Sequence, residues 1–252
     1  MPPVEKKRLD QLLVDKGLAL TRQKAQAMIM AGLVRIDDRP ADKPGIQVRV
    51  DASVTAGDPC PYVSRGGLKL EGALSAFGLD VTGFVCLDVG ASTGGFTHCL
   101  LSRGASRVYA VDVGYGQLAW ELRQDPRVVT IERTNIRHMA PGALPEPVDL
   151  VTIDASFISL KIVIPAVLSF MKPDAVILAL IKPQFEVGKG QVGKGGVVRD
   201  PDQHQAVLDD LTRWAKANGL RCQTAVPSPI TGPKGNVEFF NMFGLDFSKK
   251  TG

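Results

Sequence analysis

The sequence predicts an α/β fold, a Rossmann-like doubly wound sheet preceded by a small α+β domain. The chain of 252 residues exceeds the usual length of one domain, which favours one large domain and one small one. After residue 80, short apolar runs alternate with helical patterns, as in parallel sheets that are buried on both faces. The formal net charge of +4 arises within residues 1–70, which carry 12 Lys and Arg against 8 Asp and Glu. These three observations indicate two parts of different composition.

The first 60 residues have the pattern of a compact α+β domain. A first helix ends at Gly17, a second is capped by Thr21 and ends at Gly32, and both have apolar residues at helical spacing. The alternating stretches "LVRID" and "QVRV" predict short strands on either side of a "DDRP" turn. The prolines and glycines of "AGDPCPYVSRGG" suit a linker, so we predict domains at residues 1–60 and 61–252.

The second domain has the element order of a parallel α/β sheet. Strands are predicted at "VCLDVG", "RVYAVDVG", "VVTIERTN", "DLVTIDA" and "AVILALIKP", and helices at "LKLEGALSAFG", from Thr93 onward and at "LKIVIPAVLSFM". The stretches "CQTAVPSPI" and "VEFFNMFG" predict an antiparallel pair at the sheet edge. Ligands of such sheets bind beyond the carboxyl ends of the strands, so polar residues at those ends are candidate site residues.

The glycine-rich loop "DVGASTGGF" follows the first strand of this sheet, where a cofactor binds in this class of fold. It matches neither GxGxxG nor GxxxxGK[ST], which argues against a dinucleotide or a nucleoside triphosphate. An acid in the loop suits a positively charged ligand, and a second acid ends the next strand, at a spacing typical of a carboxylate that binds ribose hydroxyls. S-adenosylmethionine has a sulfonium, an ammonium and no phosphate, so we predict it as the cofactor. The predicted cofactor-binding residues are Asp88, Gly90, Ala91, Ser92, Gly94, Gly95, Phe96, Asp112 and Asp154.

Four charged residues at or near predicted strand ends are candidate catalytic residues: Lys69, Asp154, Lys182 and Glu238. Taken separately, each has an ordinary alternative as a surface charge or an ion pair. Together, their order and spacing resemble the Lys-Asp-Lys-Glu tetrad of RNA 2′-O-methyltransferases related to the heat-shock protein FtsJ. The resemblance implies that Lys182 is the base for a ribose hydroxyl, that Asp154 orients it, and that the other two position the ribose. The sulfonium is already a good leaving group, so this chemistry requires no metal.

Residues 7–55 resemble the small RNA-binding module first seen in a ribosomal small-subunit protein. The resemblance implies that phosphates of RNA are contacted by Arg8, Arg22, Lys24 and Arg35. The stretch "VGKGQVGKGGVVR" has five glycines and three cations without an acid, which predicts a mobile loop near the base. The cations of this loop, also predicted to bind RNA, are Lys189, Lys194 and Arg199. A solvated charged face and an ordinary surface loop are the alternatives.

With this module included, the chain resembles the TlyA family of ribosomal RNA methyltransferases over essentially its whole length. The stretches that carry the resemblance are "SRGGLKLEGAL", "DVGASTGGFT", "IKPQFEVGKG" and "GNVEFF". The resemblance implies methylation of a ribose 2′-hydroxyl, that of a cytidine, with ribosomal RNA or a ribosomal subunit as the partner. Some members carry the name haemolysin, so a membrane-active protein is one alternative and a catalytically inactive RNA-binding protein is another.

Other features of the sequence argue against further classes. The longest apolar run, "AVILALI", is far shorter than the ~20 residues of a membrane-spanning helix, and "MPPVEKKRLD" lacks the apolar stretch of an export signal. The four cysteines and three histidines have no spacing typical of a zinc site. We therefore expect a cytoplasmic protein with reduced cysteines and with neither a membrane nor a metal as a partner.

Overall fold

A computed structural model describes residues 5–30, 32–57, 60–188, 192–193 and 195–246. The chain forms two compact units, Met1–Arg65 and Gly66–Gly252. The predicted α/β class is confirmed, because the second unit contains a mostly parallel sheet between helices. None of the helices in the described ranges combines the length and the apolar content that a membrane crossing needs.

The first unit is a small α+β fold built on two short helices. Its elements are β1 (Lys6–Arg8), α1 (Leu9–Asp15), α2 (Arg22–Met30), β2 (Val34–Ile36), β3 (Arg39–Pro40), β4 (Gln47–Arg49) and β5 (Val54–Ala56). Thr21 caps α2 as predicted, since its hydroxyl accepts a hydrogen bond from the Lys24 backbone N–H at 3.1 Å. Leu9, Leu13 and Ile29 are fully buried in an apolar cluster that the strands complete.

The pairing of the short strands differs from the prediction. The "DDRP" turn joins β2 to β3, whereas β4 pairs antiparallel with β1. Asp37 and Asp38 both have positive φ, +47° and +63°, which gives a tight turn that returns the chain at once beside β2. The other side of β2 is then paired with β5, so β4 finds its partner outside this three-stranded sheet.

The second unit is an α/β fold whose sheet has seven strands side by side and an eighth, short strand paired with one of them. Its elements are α3 (Gly66–Phe77), β6 (Val85–Val89), α4 (Gly95–Ser102), β7 (Arg107–Val111), α5 (Trp120–Gln124), β8 (Val128–Ile131), β9 (Val148–Ile153), α6 (Leu160–Val167), β10 (Met171–Ile181), α7 (Pro183–Glu186), α8 (Pro201–Ala217), β11 (Leu220–Cys222), β12 (Val226–Pro227) and β13 (Phe239–Leu245). The strand order is β11-β13-β10-β9-β6-β7-β8, with β12 also paired to β13. The strands from β10 to β8 are parallel, and β13 is antiparallel to its neighbours.

Helices cover both faces of this sheet. On one face, α6 and α8 contribute apolar residues such as Val163 and Leu211 to a cluster that includes Phe243 of β13. On the other, Phe96 of α4 lies 6.0 Å, centroid to centroid, from Phe240. Phe240 and Phe243 are three residues apart on one strand, so their side chains project to opposite faces. This is the doubly wound arrangement that the sequence predicts.

One edge of the sheet collects the ends of five strands. β6, β7, β9 and β10 are parallel and end there, and the antiparallel β13 begins there. The polar or glycine residues directly beyond these strand ends are Gly90, Asp112, Asp154, Lys182 and Glu238. The topology alone therefore brings together residues that are widely separated in the sequence.

Candidate active site

A cavity of about 850 Å³ opens at this edge of the sheet. The residues just beyond β6, β7 and β9 line it, and Val113, Ile136 and Phe157 add apolar surface. A volume of this size, with polar and apolar side chains both on the wall, suits a small molecule of nucleotide size. The predicted residues Gly90, Ser92, Asp112 and Asp154 are all part of the wall.

The backbone fixes the Asp112 carboxylate at the cavity. Its Oδ2 accepts a hydrogen bond from Ser92 N at 2.8 Å, and its Oδ1 accepts one from Gly114 N at 2.7 Å. Gly90 has φ +84°, and a Cβ there would lie 2.6 Å from the Asp154 carbonyl oxygen, so only glycine fits between the two strand ends.

Asp88 occupies a different position from the one predicted. Its side chain is fully buried in the sheet and does not line the cavity, and each of its oxygens accepts a hydrogen bond from a threonine hydroxyl, Thr97 at 2.7 Å and Thr152 at 3.0 Å. Burial raises the pKa of Asp88 to about 6, although the two hydroxyl bonds oppose that shift. The Asp88 side chain therefore joins β6 to β9 and to α4, and it lies outside the cavity wall.

Most of the other predicted contact residues of the glycine-rich loop also lie outside the cavity wall. Gly94 has φ +95°, which starts α4 at Gly95 rather than at the predicted Thr93, and a Cβ on Gly94 would lie 2.3 Å from a methyl carbon of Leu122. The predicted contact residues that are buried away from the cavity wall are Ala91, Gly94, Gly95 and Phe96. At Gly94 a larger residue would not fit, and its positive φ favours glycine.

We expect Asp88→Asn to alter how stability depends on pH. The folded protein holds the Asp88 proton up to about pH 6, whereas the unfolded chain releases it near pH 4. Because the folded state binds more protons in this window, raising the pH through it lowers the wild-type free energy of unfolding. Relative to wild type, the variant should gain up to about 3 kcal/mol between pH 4 and pH 7. Urea unfolding, followed by tryptophan fluorescence, measures this difference, and a difference that does not vary with pH would contradict the assignment.

Lys69 and Glu238 form a buried ion pair. Lys69 Nζ lies 2.6 Å from Glu238 Oε2, and the two residues are only 8% and 1% exposed. The second carboxylate oxygen, Oε1, has no hydrogen-bond partner among the described residues. A buried charge pair joining a helix to the start of β13 is costly to assemble, which makes an ordinary surface role a poor explanation.

Lys182 contacts two residues of the turn after β9. Its Nζ lies 2.5 Å from Asp154 Oδ1 and donates a hydrogen bond to Ser156 Oγ at 2.9 Å. Its side chain is 11% exposed, and Asp154 and Ser156 both line the cavity. The amine is therefore held beside the cavity by an ion-pair contact with Asp154 and a hydrogen bond to Ser156.

Strand register brings the two ion pairs together. Ile181 of β10 pairs with Phe239 of β13, so Lys182 and Glu238 occupy the next opposing positions. Directly opposed residues of an antiparallel pair project to the same face, with Cβ atoms about 5 Å apart. The parallel pairing of β9 with β10 places Asp154 at the same strand ends. All four predicted catalytic residues thus meet at one edge of the sheet.

Side-chain contacts join two segments that no sequence motif connects, residues 157–160 and residues 185–186. The Phe157 and Phe185 rings lie 4.8 Å apart, although Phe157 is 89% exposed and has φ +63°, an unusual conformation for a bulky residue. Glu186 accepts hydrogen bonds from the Ser159 hydroxyl at 2.6 Å and from Leu160 N at 2.8 Å. Burial raises the pKa of Glu186. Motif spacing could not reveal these contacts, because they join separate loops.

In the first unit, two of the predicted RNA-binding arginines have a structural contact. Arg8 and Arg22 both bond the carboxylate of Asp10, which is fully buried and also accepts from Gln26. The hydrogen bond from Arg8 is the main reason that the pKa of Asp10 lies well below its usual range. Both arginine side chains stay about half exposed, at 44% and 52%, so each has further N–H donors facing solvent.

The other predicted cations have simpler positions. Lys24 and Arg35 are exposed, and Arg35 Nε donates to the Asp38 carbonyl at 3.0 Å. Lys189 and Lys194 lie outside the described residues. Arg199 is exposed, at the end of the glycine-rich stretch.

Residues 195–198 of that stretch are hydrogen-bonded to a neighbouring segment, and the mobility predicted for the loop stays a prediction. Asn236, which is 4% exposed, accepts a hydrogen bond from Val198 N and donates one to the Gly196 carbonyl, each at 3.2 Å. Lys234 Nζ donates to the Gly195 carbonyl at 3.0 Å. These bonds tie residues 195–198 to the segment that leads into Glu238.

Two family models match the chain. The FtsJ-like methyltransferase model matches residues 62–245, and the S4 domain model matches residues 7–54. The first covers well over half of the chain, and its match spans the cavity and all four residues of the two ion pairs.

Individual proteins agree with this assignment over most of the chain. The 16S/23S rRNA (cytidine-2'-O)-methyltransferase TlyA of Mycobacterium tuberculosis is 53% identical over 235 residues, 92% of this chain and 88% of that protein. Hemolysin A of Brachyspira hyodysenteriae is 38% identical over 94% of this chain and 99% of its own. A solved structure of a candidate hemolysin from Streptococcus thermophilus superposes with a TM-score of 0.76 at 41% identity, covering 97% of this chain and 90% of that one. The chain therefore belongs to the FtsJ-like methyltransferase family, within the group of TlyA proteins that join an S4 domain to it.

Proposed function

We propose that the protein transfers a methyl group from S-adenosylmethionine to the 2′-hydroxyl of a cytidine ribose in ribosomal RNA. The observation that carries this proposal is the meeting of the Lys182–Asp154 and Lys69–Glu238 pairs at the strand ends beside the cavity. The base identity and the substrate follow the name of the TlyA relative at 53% identity.

The cavity suits the cofactor. The fixed Asp112 carboxylate has lone pairs left for ribose hydroxyls after accepting its two backbone bonds. Val113 and Ile136 offer apolar surface to a nucleobase, and Asp154 and Gly90 also line the cavity. When bound, the cofactor would supply a methyl group attached to a positively charged sulfur. Transfer of that methyl group to an oxygen leaves the sulfur as a neutral thioether. No phosphate-binding motif is needed for such a ligand.

Lys182 acts as the base in this proposal. Its neutral amine takes the proton of the ribose hydroxyl while the hydroxyl oxygen forms its bond to the methyl carbon, and the resulting ammonium releases the proton to water afterwards. Asp154, 2.5 Å from the amine, orients it and stabilises the ammonium. Holding the amine at the cavity supplies the alignment that an in-line transfer requires.

Lys69 and Glu238 position the ribose. The buried Lys69 fixes one oxygen of Glu238, which leaves Oε1 as an acceptor without a partner among the described residues. An unsatisfied buried acceptor is costly unless a ligand supplies the missing donor. A ribose hydroxyl is a donor of the right kind.

The first domain, residues 1–60 in our division, is proposed to bind RNA, and residues 61–252 to carry out the transfer. The S4 match and the exposed Arg8, Arg22, Lys24 and Arg35 support this division of labour. Arg199 of the second domain, with Lys189 and Lys194, is proposed to add phosphate contacts. A ribosomal substrate would place the protein in the cytoplasm.

We expect Lys24→Glu to weaken binding to ribosomal RNA and to reduce its salt dependence. Each lost phosphate contact lowers the slope of log affinity against log salt by roughly 0.7 to 0.9. Lys24 is chosen because its side chain is exposed, whereas a glutamate at Arg22 would place a second carboxylate beside the buried Asp10. Filter binding at several salt concentrations measures both effects. Lys43→Glu makes the same charge change at another exposed position of this unit, and equal losses in the two variants would contradict a specific role for Lys24.

The proposed function is tested by mapping methylated riboses. Purified protein, methyl-labelled S-adenosylmethionine and either ribosomal subunits or protein-free ribosomal RNA are incubated, and the labelled position is located. We expect label on a cytidine 2′-oxygen. Cofactor binding without methyl transfer to any ribosomal substrate would favour the inactive RNA-binding alternative, and lysis of erythrocytes by the pure protein would favour the membrane-active one.

A further inference from the structure

We infer that Ser156 is a positioning residue for this reaction, one that fixes the direction of the lone pair on the Lys182 amine. The inference rests on the proposed function and adds a residue to the four predicted catalytic positions. Ser156 Oγ accepts a hydrogen bond from Lys182 Nζ at 2.9 Å, and Ser156 also lines the cavity. The Ser156 hydroxyl, a neutral group, therefore contacts the Lys182 amine and also lies on the wall of the cavity.

The chemistry of an amine explains the need for a second contact. A neutral amine has two N–H groups and one lone pair, and it accepts a proton only along the lone pair. One N–H is directed to Ser156 Oγ at 2.9 Å, whereas Asp154 Oδ1 lies 2.5 Å from the nitrogen without accepting a hydrogen bond from it. The serine bond holds one N–H in place, and repulsion by the Asp154 carboxylate turns the lone pair away from that side. With Asp154 alone, the amine would rotate about that single contact.

Further contacts join the turn that carries Ser156, an exposed residue, to the segment that carries Lys182. Beyond the Lys182 contacts, Phe157 packs on Phe185 with centroids 4.8 Å apart. Glu186 bonds Ser159 and Leu160 at 2.6 and 2.8 Å. Three successive sets of contacts thus join residues 154–160 to residues 182–186, so the 2.9 Å bond does not depend on one flexible side chain. Such support is what a catalytic group needs to keep its orientation.

The test compares Ser156→Ala with Ser156→Thr in the full-length protein. Single-turnover methyl transfer to the ribosomal substrate is measured with saturating S-adenosylmethionine and RNA, together with the Kd of each. We expect Ser156→Ala to be about tenfold to a hundredfold slower, the loss typical of one hydrogen bond to a charged or catalytic group. The RNA Kd should stay within about twofold of wild type, and a modest change in the cofactor Kd does not enter a rate measured at saturating cofactor. Ser156→Thr, which keeps the hydroxyl, should recover most of the rate.

Each other outcome overturns the inference in a recognisable way. An Ala variant that transfers methyl groups at the wild-type rate shows that the hydroxyl is dispensable. Equal losses in the Ala and Thr variants show that the shape of the side chain matters, and not the hydroxyl. A loss of cofactor binding shows that Ser156 belongs to the cofactor site. A wild-type protein that binds the cofactor but methylates no ribosomal RNA overturns the proposed function itself, and the role of Ser156 with it.

Discussion

Replacing Lys182 by alanine is expected to reduce methyl transfer at least a hundredfold while the cofactor Kd stays within about twofold of wild type. A positioned general base contributes roughly 10² to 10⁴ to a rate, and no other lysine among the described residues contacts Asp154. Lys182 itself does not line the cavity, so its removal should leave cofactor contacts in place. Single-turnover kinetics and equilibrium titration measure the two effects separately.

Lys172→Ala is the matched control for this prediction. Lys172 lies in β10, near the end opposite to the one that Lys182 follows, and pairs with Asp149 at 2.7 Å, so the same type of side chain is lost away from the site. Its variant should transfer methyl groups at close to the wild-type rate. If Lys182→Ala keeps its rate within tenfold of wild type, another group acts as the base.

The features of the fold and the site that depend on chain order were predictable from the sequence. The apolar runs predicted the parallel strands. The polar residues after these runs predicted the edge of the sheet at which Asp112, Asp154 and Lys182 lie. The topology of parallel strands makes this possible, because the residue after each strand always falls at the same edge. Glu238 belongs to the same group because β13 runs in the opposite direction and begins where the others end.

Contacts across loops were not predictable in this way. Asp88 and Asp112 are both acids near the carboxyl ends of neighbouring strands. Asp88 is fully buried and lies outside the cavity wall, whereas Asp112 lines the cavity. Arg8 and Arg22 have the exposure expected of RNA ligands, but the buried Asp10 also holds them. Ser156 has no motif of its own and is identified only by its distance to Lys182. Each of these depends on side-chain packing between segments that sequence spacing does not relate.

Replacing Lys69 by methionine is expected to destabilise the second unit by about 3 to 5 kcal/mol, because it leaves the Glu238 carboxylate buried without its counter-charge. The two tryptophans of the chain, Trp120 and Trp214, both lie in this unit, so urea unfolding followed by their fluorescence reports on it.

Two further variants separate the cost of the buried charge from the loss of packing. Lys69→Met combined with Glu238→Leu removes both charges, and replacing a whole buried pair by apolar groups is often neutral, so the double variant should be more stable than the single one. Arg103→Met breaks a more exposed pair with Glu71, which lies on the same helix as Lys69, and should cost no more than about 1 kcal/mol. A double variant no more stable than Lys69→Met would show that the lysine stabilises by packing. A recovered but catalytically inactive double variant would instead show that the charged pair is retained for the ribose and not for the fold.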